Sequence, residues 1–236
     1  MKLYKTHKKV LHFIDPGLEF HKNYTANTLD RTKNVFSDIK GKVVATFDQL
    51  PIADNEYFVI LEECRLEPLM EHLSKYLPLC RVEIKEMDTK VYFDLEDFKS
   101  QQPEEDKKEK MKGFWRIPQK AGSLVLCDQD LEATVSEEEF IRFRLIHEIP
   151  LEGVDFQQEM VLNIHPTEYV SFTKGCFLGQ EVLSRVHFKS KPPRKLVVMP
   201  KSKLEKSLQE EMTSLAYLPE KEDWYGFVFL SNKDLE

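Results

Sequence analysis

A chain of 236 residues, 41% hydrophobic and 32% charged, can bury a sizeable apolar core, and its 16 Phe and 8 Tyr exclude a chain disordered throughout. Its 34 Lys and Arg against 41 Asp and Glu give a formal net charge of -7, which excludes a general polyanion binder but not one local basic site. No stretch approaches the roughly 20 apolar residues of a membrane span, and Asp15 and Pro16 interrupt the basic opening before it reads as a signal peptide. A cytoplasmic protein with no membrane partner is expected.

In chain order, residues 9–13 read as a short strand closed by the turn Asp15-Pro16-Gly17. Residues 43–48 and 57–61 read as two strands around a connection at 50–55. Leu66, Leu69, Met70, Leu73 and Leu77 recur on one face of a helix, with Pro68 in its first turn and a stop expected before Pro78. Residues 80–85 and 91–95 then read as a strand pair, with Cys80, Val82 and Ile84 on one face. A polar, mixed-charge run at 101–113 reads as a solvated connection. Beyond it come a strand at 124–127 and a helix announced by the capping box Ser136 and Glu139. That helix carries Phe140, Ile141, Arg144 and Leu145 and ends near Ile149-Pro150. Strands at 195–199, 214–217 and 227–230 close the chain. The pattern is α+β, in four parts: a first lobe (1–100), the polar connection (101–113), a second lobe (114–191) and a short β module (192–236).

Four cysteines at positions 64, 80, 127 and 176 form no CxxC pair, so free thiols and no resident metal are expected. His165 and His187 stand at no metal-ligand spacing, and the chain has no GxSxG, HExxH, GxGxxG or Walker pattern. The informative segment runs Ser171-Phe172-Thr173-Lys174-Gly175-Cys176-Phe177-Leu178-Gly179-Gln180-Glu181, followed by Arg185. Two glycines four apart bracket a cysteine just ahead of a helix start, and Lys174 stands close by. Such a setting favours a thiolate. A tight turn with a small, inward cysteine is the alternative.

The same segment resembles the hallmark of the YgfZ-like folate-binding family, relatives of the glycine cleavage T-protein: Lys-Gly-Cys-aromatic-x-Gly-Gln-Glu, then an arginine. It is matched here by Lys174, Gly175, Cys176, Phe177, Gly179, Gln180, Glu181 and Arg185. Looser likenesses lie at 25–29, where Asn27 takes the place of the family's asparagine, and at 41–45, 80–84, 143–150 and 212–216. The resemblance implies the aminomethyltransferase folate-binding fold, two α+β lobes around a central cavity with a reduced C-terminal β module. It further implies tetrahydrofolate or a derivative as ligand. The implied role is support of iron–sulfur cluster assembly or repair in client enzymes, including those of tRNA modification. By the same resemblance Cys176 is the redox or carrier group, Lys174, Gly175, Gly179, Gln180, Glu181 and Arg185 hold the loop or a partner, and Asn27, Arg185, Lys191 and Arg194 are folate candidates.

The T-protein sets a carboxylate in the strand after its first glycine-led turn, where this chain has Val44-Ala45-Thr46-Phe47. Aminomethyl transfer is therefore not expected, and a classical enzyme is disfavoured. Asp48 follows that stretch, and strand register sets which face it takes. An aminomethyltransferase-like enzyme and a ligand-free interaction protein stand as the other readings. Lys189, Lys191, Arg194 and Lys195 around Pro192-Pro193 read as an anion site for a folate tail or nucleic-acid phosphates, or as a solvated linker.

Overall fold

The computed structural model describes residues 1–96, 109–111, 114–164 and 166–231. His165 and most of the polar connection lie outside the described residues. Three antiparallel sheets carry the chain, with helices at their margins, an α+β architecture. The first sheet runs in the order β3 (Lys33–Ser37), β4 (Val43–Ala53), β5 (Glu56–Glu62), β2 (Lys8–Ile14) and β6 (Glu83–Met87). The second runs β1 (Leu3–Lys5), β7 (Lys90–Asp94), β10 (Ser123–Cys127), β9 (Phe114–Pro118) and β8 (Glu109–Met111). The third runs β11 (Arg194–Pro200), β13 (Asp223–Ser231) and β12 (Thr213–Leu218). The second sheet thus draws β1 and β7 from before the polar connection, and β9 and β10 from after it.

Period-two alternation along β4 organises the first lobe. Ala45 and Phe47 point into a core with Phe13, Tyr57, Leu61 and, from α2 (Leu66–Leu73), Leu69. The opposite face carries Thr46, Asp48 and Leu50, and Leu50 packs with Ile60, Phe93, Ile117 and Leu124 between the first and second sheets. Phe140 of α4 (Glu137–His147) joins that layer. The capping box forms as expected, with Ser136 Oγ accepting from the Glu139 N–H at 3.2 Å. A third core gathers Leu183 of α6 (Gln180–Lys189) with Leu196, Ala216 and Phe227 of the third sheet. The hydroxyls of Thr213 and Ser214 donate to Asp155 Oδ1, and Arg144 reaches Ser214 Oγ and Asp155 Oδ2 at 2.6 Å each, fastening the short β module to α4.

Four expectations are corrected. Residues 80–85 and 91–95 are not a strand pair: β6 joins β2, and β7 joins β1 and β10 in another sheet. Cys80 belongs to α3 (Leu77–Cys80), so it does not alternate with Val82 and Ile84. Helix α2 closes at Leu73, and Pro78 does not end helical structure but enters the first turn of α3, where no N–H is needed. The connection at 50–55 shrinks to Asp54-Asn55, because β4 continues through Pro51 to Ala53 with an irregularity there. Proline is tolerated where the ladder is already interrupted. Periodicity had also left unassigned β1, β3, β9 and the short α1 (Glu19–Tyr24).

Candidate functional site

Two places gather the polar groups that sequence reasoning singled out or left open. The first is the glycine-cysteine loop ahead of α6. Lys174 turns its ammonium inward, donating to the backbone carbonyls of Thr25 (2.8 Å), Asn27 (3.1 Å) and His21 (3.3 Å) at the end of α1. Burial draws it down to about 8. Phe177 is buried beneath it, with the ammonium 5.7 Å from the ring centroid. The Leu178 carbonyl accepts from Ser37 Oγ at 2.8 Å, and its N–H donates to the Asn23 carbonyl at 3.0 Å. Gly179 has φ +85°, and a Cβ there would stand 2.4 Å from the Asp38 carbonyl oxygen. Gly175 meets nothing within 4 Å of such a Cβ, so only the second glycine is demanded by close approach.

Within this frame Cys176 is an exposed free thiol. Arg185 pairs with Glu181 at 2.9 Å on the open face of α6, one turn apart. Asn27, by contrast, is buried and occupied: its amide donates to the Lys33 and Glu168 carbonyls at 2.9 Å each and accepts from the Thr28 N–H at 3.0 Å. Arg194 pairs with Glu159 and lies over the Phe229 ring, whereas Lys191 is exposed. Asn27 is therefore occupied inside the fold, whereas Arg185, Lys191 and Arg194 stand at the surface.

The second place is a central cavity of about 70 Å³ between the first and second sheets. Lys8, Lys33, Asp48, Glu62, Gln119, Glu152, Arg144 and Tyr169 give it polar walls, and Tyr4 and Phe140 stack at its rim with centroids 4.1 Å apart. Asp48 stands opposite Lys33 in the β3–β4 register, so the face taken by this acid is the cavity face. Its Oδ1 accepts from Lys33 Nζ and Gln119 Nε2, each at 3.0 Å. Burial would raise its carboxyl, but Lys33, Lys8 and the Gln119 amide hold it below the ordinary aspartate value. Burial likewise pulls on Lys8, and Glu62, 2.6 Å away, together with Asp48 outweighs it and keeps the ammonium above its usual value. Tyr169 is raised, by burial first and then by Asp48.

Glu152 marks one wall. Its Oε2 accepts from the N–H and the hydroxyl of Thr46, both at 2.6 Å, and Arg65 Nε lies 2.9 Å from its Oε1. Burial nonetheless leaves Glu152 above the usual glutamate value. Arg65, in turn, floors a groove of about 450 Å³ on the far side of β4, with Lys42, His72 and Lys75 along it. The lack of an acid at 44–47 is thus not a lack of one in the cavity. Sequence reasoning left this site open because its members come from many separated segments, from Tyr4 to Tyr169.

No protein-family model matches this sequence, and no curated protein matches it. Among solved structures it is similar to the glycine cleavage system aminomethyltransferase T from Bartonella henselae, with a TM-score of 0.73 over 97% of this chain and 78% of that one. The chain has the aminomethyltransferase T fold. Identity between the two is 11%, so the likeness extends to the T fold and not to residue roles.

Proposed function

We propose that this protein binds a reduced folate in the central cavity of its T fold and acts as an accessory to the assembly or repair of iron–sulfur clusters in other enzymes, those of tRNA modification among them. The observation that carries the folate half is Asp48: a carboxylate held below its ordinary value by Lys33, Lys8 and Gln119, on the wall of the cavity. A pterin presents adjacent N–H donors, and a fixed carboxylate is their natural acceptor. Tyr4, Phe140 and Tyr169 supply planar surface for the ring. At about 70 Å³ the cavity is well below the roughly 300 Å³ of an ordinary ligand pocket, so entry of the ring requires the lining side chains to part. The accessory half rests on the resemblance of the loop and on Cys176, whose exposed thiol on a hydrogen-bonded loop suits a redox or carrier role.

Calorimetric titration with tetrahydrofolate tests the reading. Saturable binding near micromolar is expected, at least tenfold weaker in Asp48→Asn and unchanged in Cys176→Ala. Absence of heat together with absence of thermal stabilisation at high ligand sinks it and leaves the ligand-free interaction protein. One observation also favours a second reading, one-carbon transfer: the same Asp48 supplies the anionic group that residues 44–47 lack. Formation of a one-carbon adduct of tetrahydrofolate, lost in Asp48→Asn, separates this enzyme from a binding protein.

A further inference from the structure

From Val182 to Leu204 the chain carries seven Lys and Arg and not one Asp or Glu, in a protein whose formal net charge is -7. The stretch begins in α6. Arg185, Phe188 and Lys189 stand three and four residues apart there and so share one face of the helix. Phe188 is 69% exposed, an unusual setting for so large an apolar ring. It is not a lone ring: Phe172, from the segment before the glycine-cysteine loop, stacks flat on His187 with centroids 3.9 Å apart at 12°, and Phe188 meets both rings edge-on. The sole acid of α6, Glu181, is paired with Arg185 at its far end. Lys189, Lys191 and Lys195 are exposed and pair with no carboxylate among the described residues.

We infer that this face binds single-stranded nucleic acid. Cations spaced along a surface neutralise phosphates, and exposed rings among them offer stacking partners to bases of any sequence. A duplex keeps its bases stacked inward and gains nothing from Phe188, and an acidic peptide meets the lysines but leaves the rings without planar partners. The end of α6 lies about 15 Å from the glycine-cysteine loop, at ~1.5 Å per helical residue. A bound strand would therefore pass within one helix length of Cys176. The inference goes beyond the folate reading and stands whether or not the cavity binds a folate.

The test is fluorescence anisotropy of a labelled 12-nucleotide RNA of mixed sequence, titrated with the whole protein between 25 and 200 mM KCl. Micromolar binding at low salt is expected, with log K falling against log salt at a slope of about -2 to -3, as for three or four phosphates on a single strand. Lys189→Glu should weaken binding about five- to tenfold and flatten the slope by about 0.7. Lys85→Glu, an equal charge change on β6, should do neither. Phe188→Ala should weaken binding about tenfold with the slope unchanged, the mark of lost stacking. Both positions are exposed, and unchanged melting temperatures confirm intact variants. No binding at 25 mM KCl overturns the inference. So does an unaffected Phe188→Ala, or equal competition by polyglutamate or by anionic vesicles, because each shows a surface that reads charge alone.

Discussion

The central cavity and the glycine-cysteine loop each hold a half-buried lysine, and they use it in opposite ways. Lys8 lies between the carboxylates of Glu62 and Asp48, which keep it charged against the pull of burial. Lys174 donates to three backbone carbonyls over the Phe177 ring and pairs with no carboxylate among the described residues, and burial brings it down to about 8. The cavity is thus a network of paired charges, intolerant of a missing partner. The loop is a backbone shape: one ammonium gathers three carbonyls, one glycine allows two turns to touch, and the thiol is carried on top. Paired charge sets the character of the first region, and backbone shape that of the second.

The sharpest way to break the contrast is at the cavity wall. Arg65→Ala leaves Glu152 buried without its cation, and removal of one partner of such a pair costs about 3–5 kcal/mol. Urea denaturation near neutral pH should show that loss. A loss under about 1 kcal/mol would mean that Glu152 escapes by taking up a proton, and the wall would then be a hydrogen-bonded structure and not an ionic one.

The two regions were also unequally legible in the sequence. The loop lies within eleven consecutive residues, so its glycine, lysine and cysteine spacing was readable, as was the capping box of α4. Its division of labour was not, because only packing shows that Gly179 is sterically required while Gly175 is free, and that Lys174 faces away from solvent. The cavity has no local signature at all. Lys8, Lys33 and Asp48 are set side by side by the first sheet, Gln119 and Glu152 reach them from outside its strands, and the face of Asp48 is a matter of register that a one-residue slip would invert. The pairing of 80–85 with 91–95 failed for the related reason that proximity in sequence favours a hairpin, whereas here each strand buries its apolar face in a different sheet.

A smaller effect sharpens the contrast beneath the loop. His21 is buried with Nε2 2.9 Å from Gln49 Oε1, and burial, opposed by that hydrogen bond and assisted by Lys174, lowers it to about 4. The unfolded chain takes up this proton near pH 6.5 and the folded one only near 4, so the contribution is complete above 6.5 and is lost as pH falls through 4. About 3 kcal/mol should disappear across that window, and His21→Gln should flatten it. Asp48 is held below the usual aspartate value and adds its own loss only at lower pH, whereas Glu152, raised by burial, gains stability as pH falls and opposes the His21 loss. An unaltered pH profile in His21→Gln would assign the acid sensitivity to carboxylates instead.

The smallest predicted change compares the two glycines of the loop. In Gly179→Ala the new methyl meets the Asp38 carbonyl at 2.4 Å in a backbone conformation that disfavours side chains, so a loss of at least about 2 kcal/mol is expected. Gly175→Ala finds open space and should change stability by less than about 1 kcal/mol. The pair also separates shape from chemistry at Cys176. If maleimide labels Cys176 faster in Gly179→Ala while Gly175→Ala leaves the rate alone, the 37–41 turn restrains the thiol through Gly179. Equal labelling rates in the two variants would mean that the loop frames Cys176 without restraining it, and exposure alone would govern its reactivity.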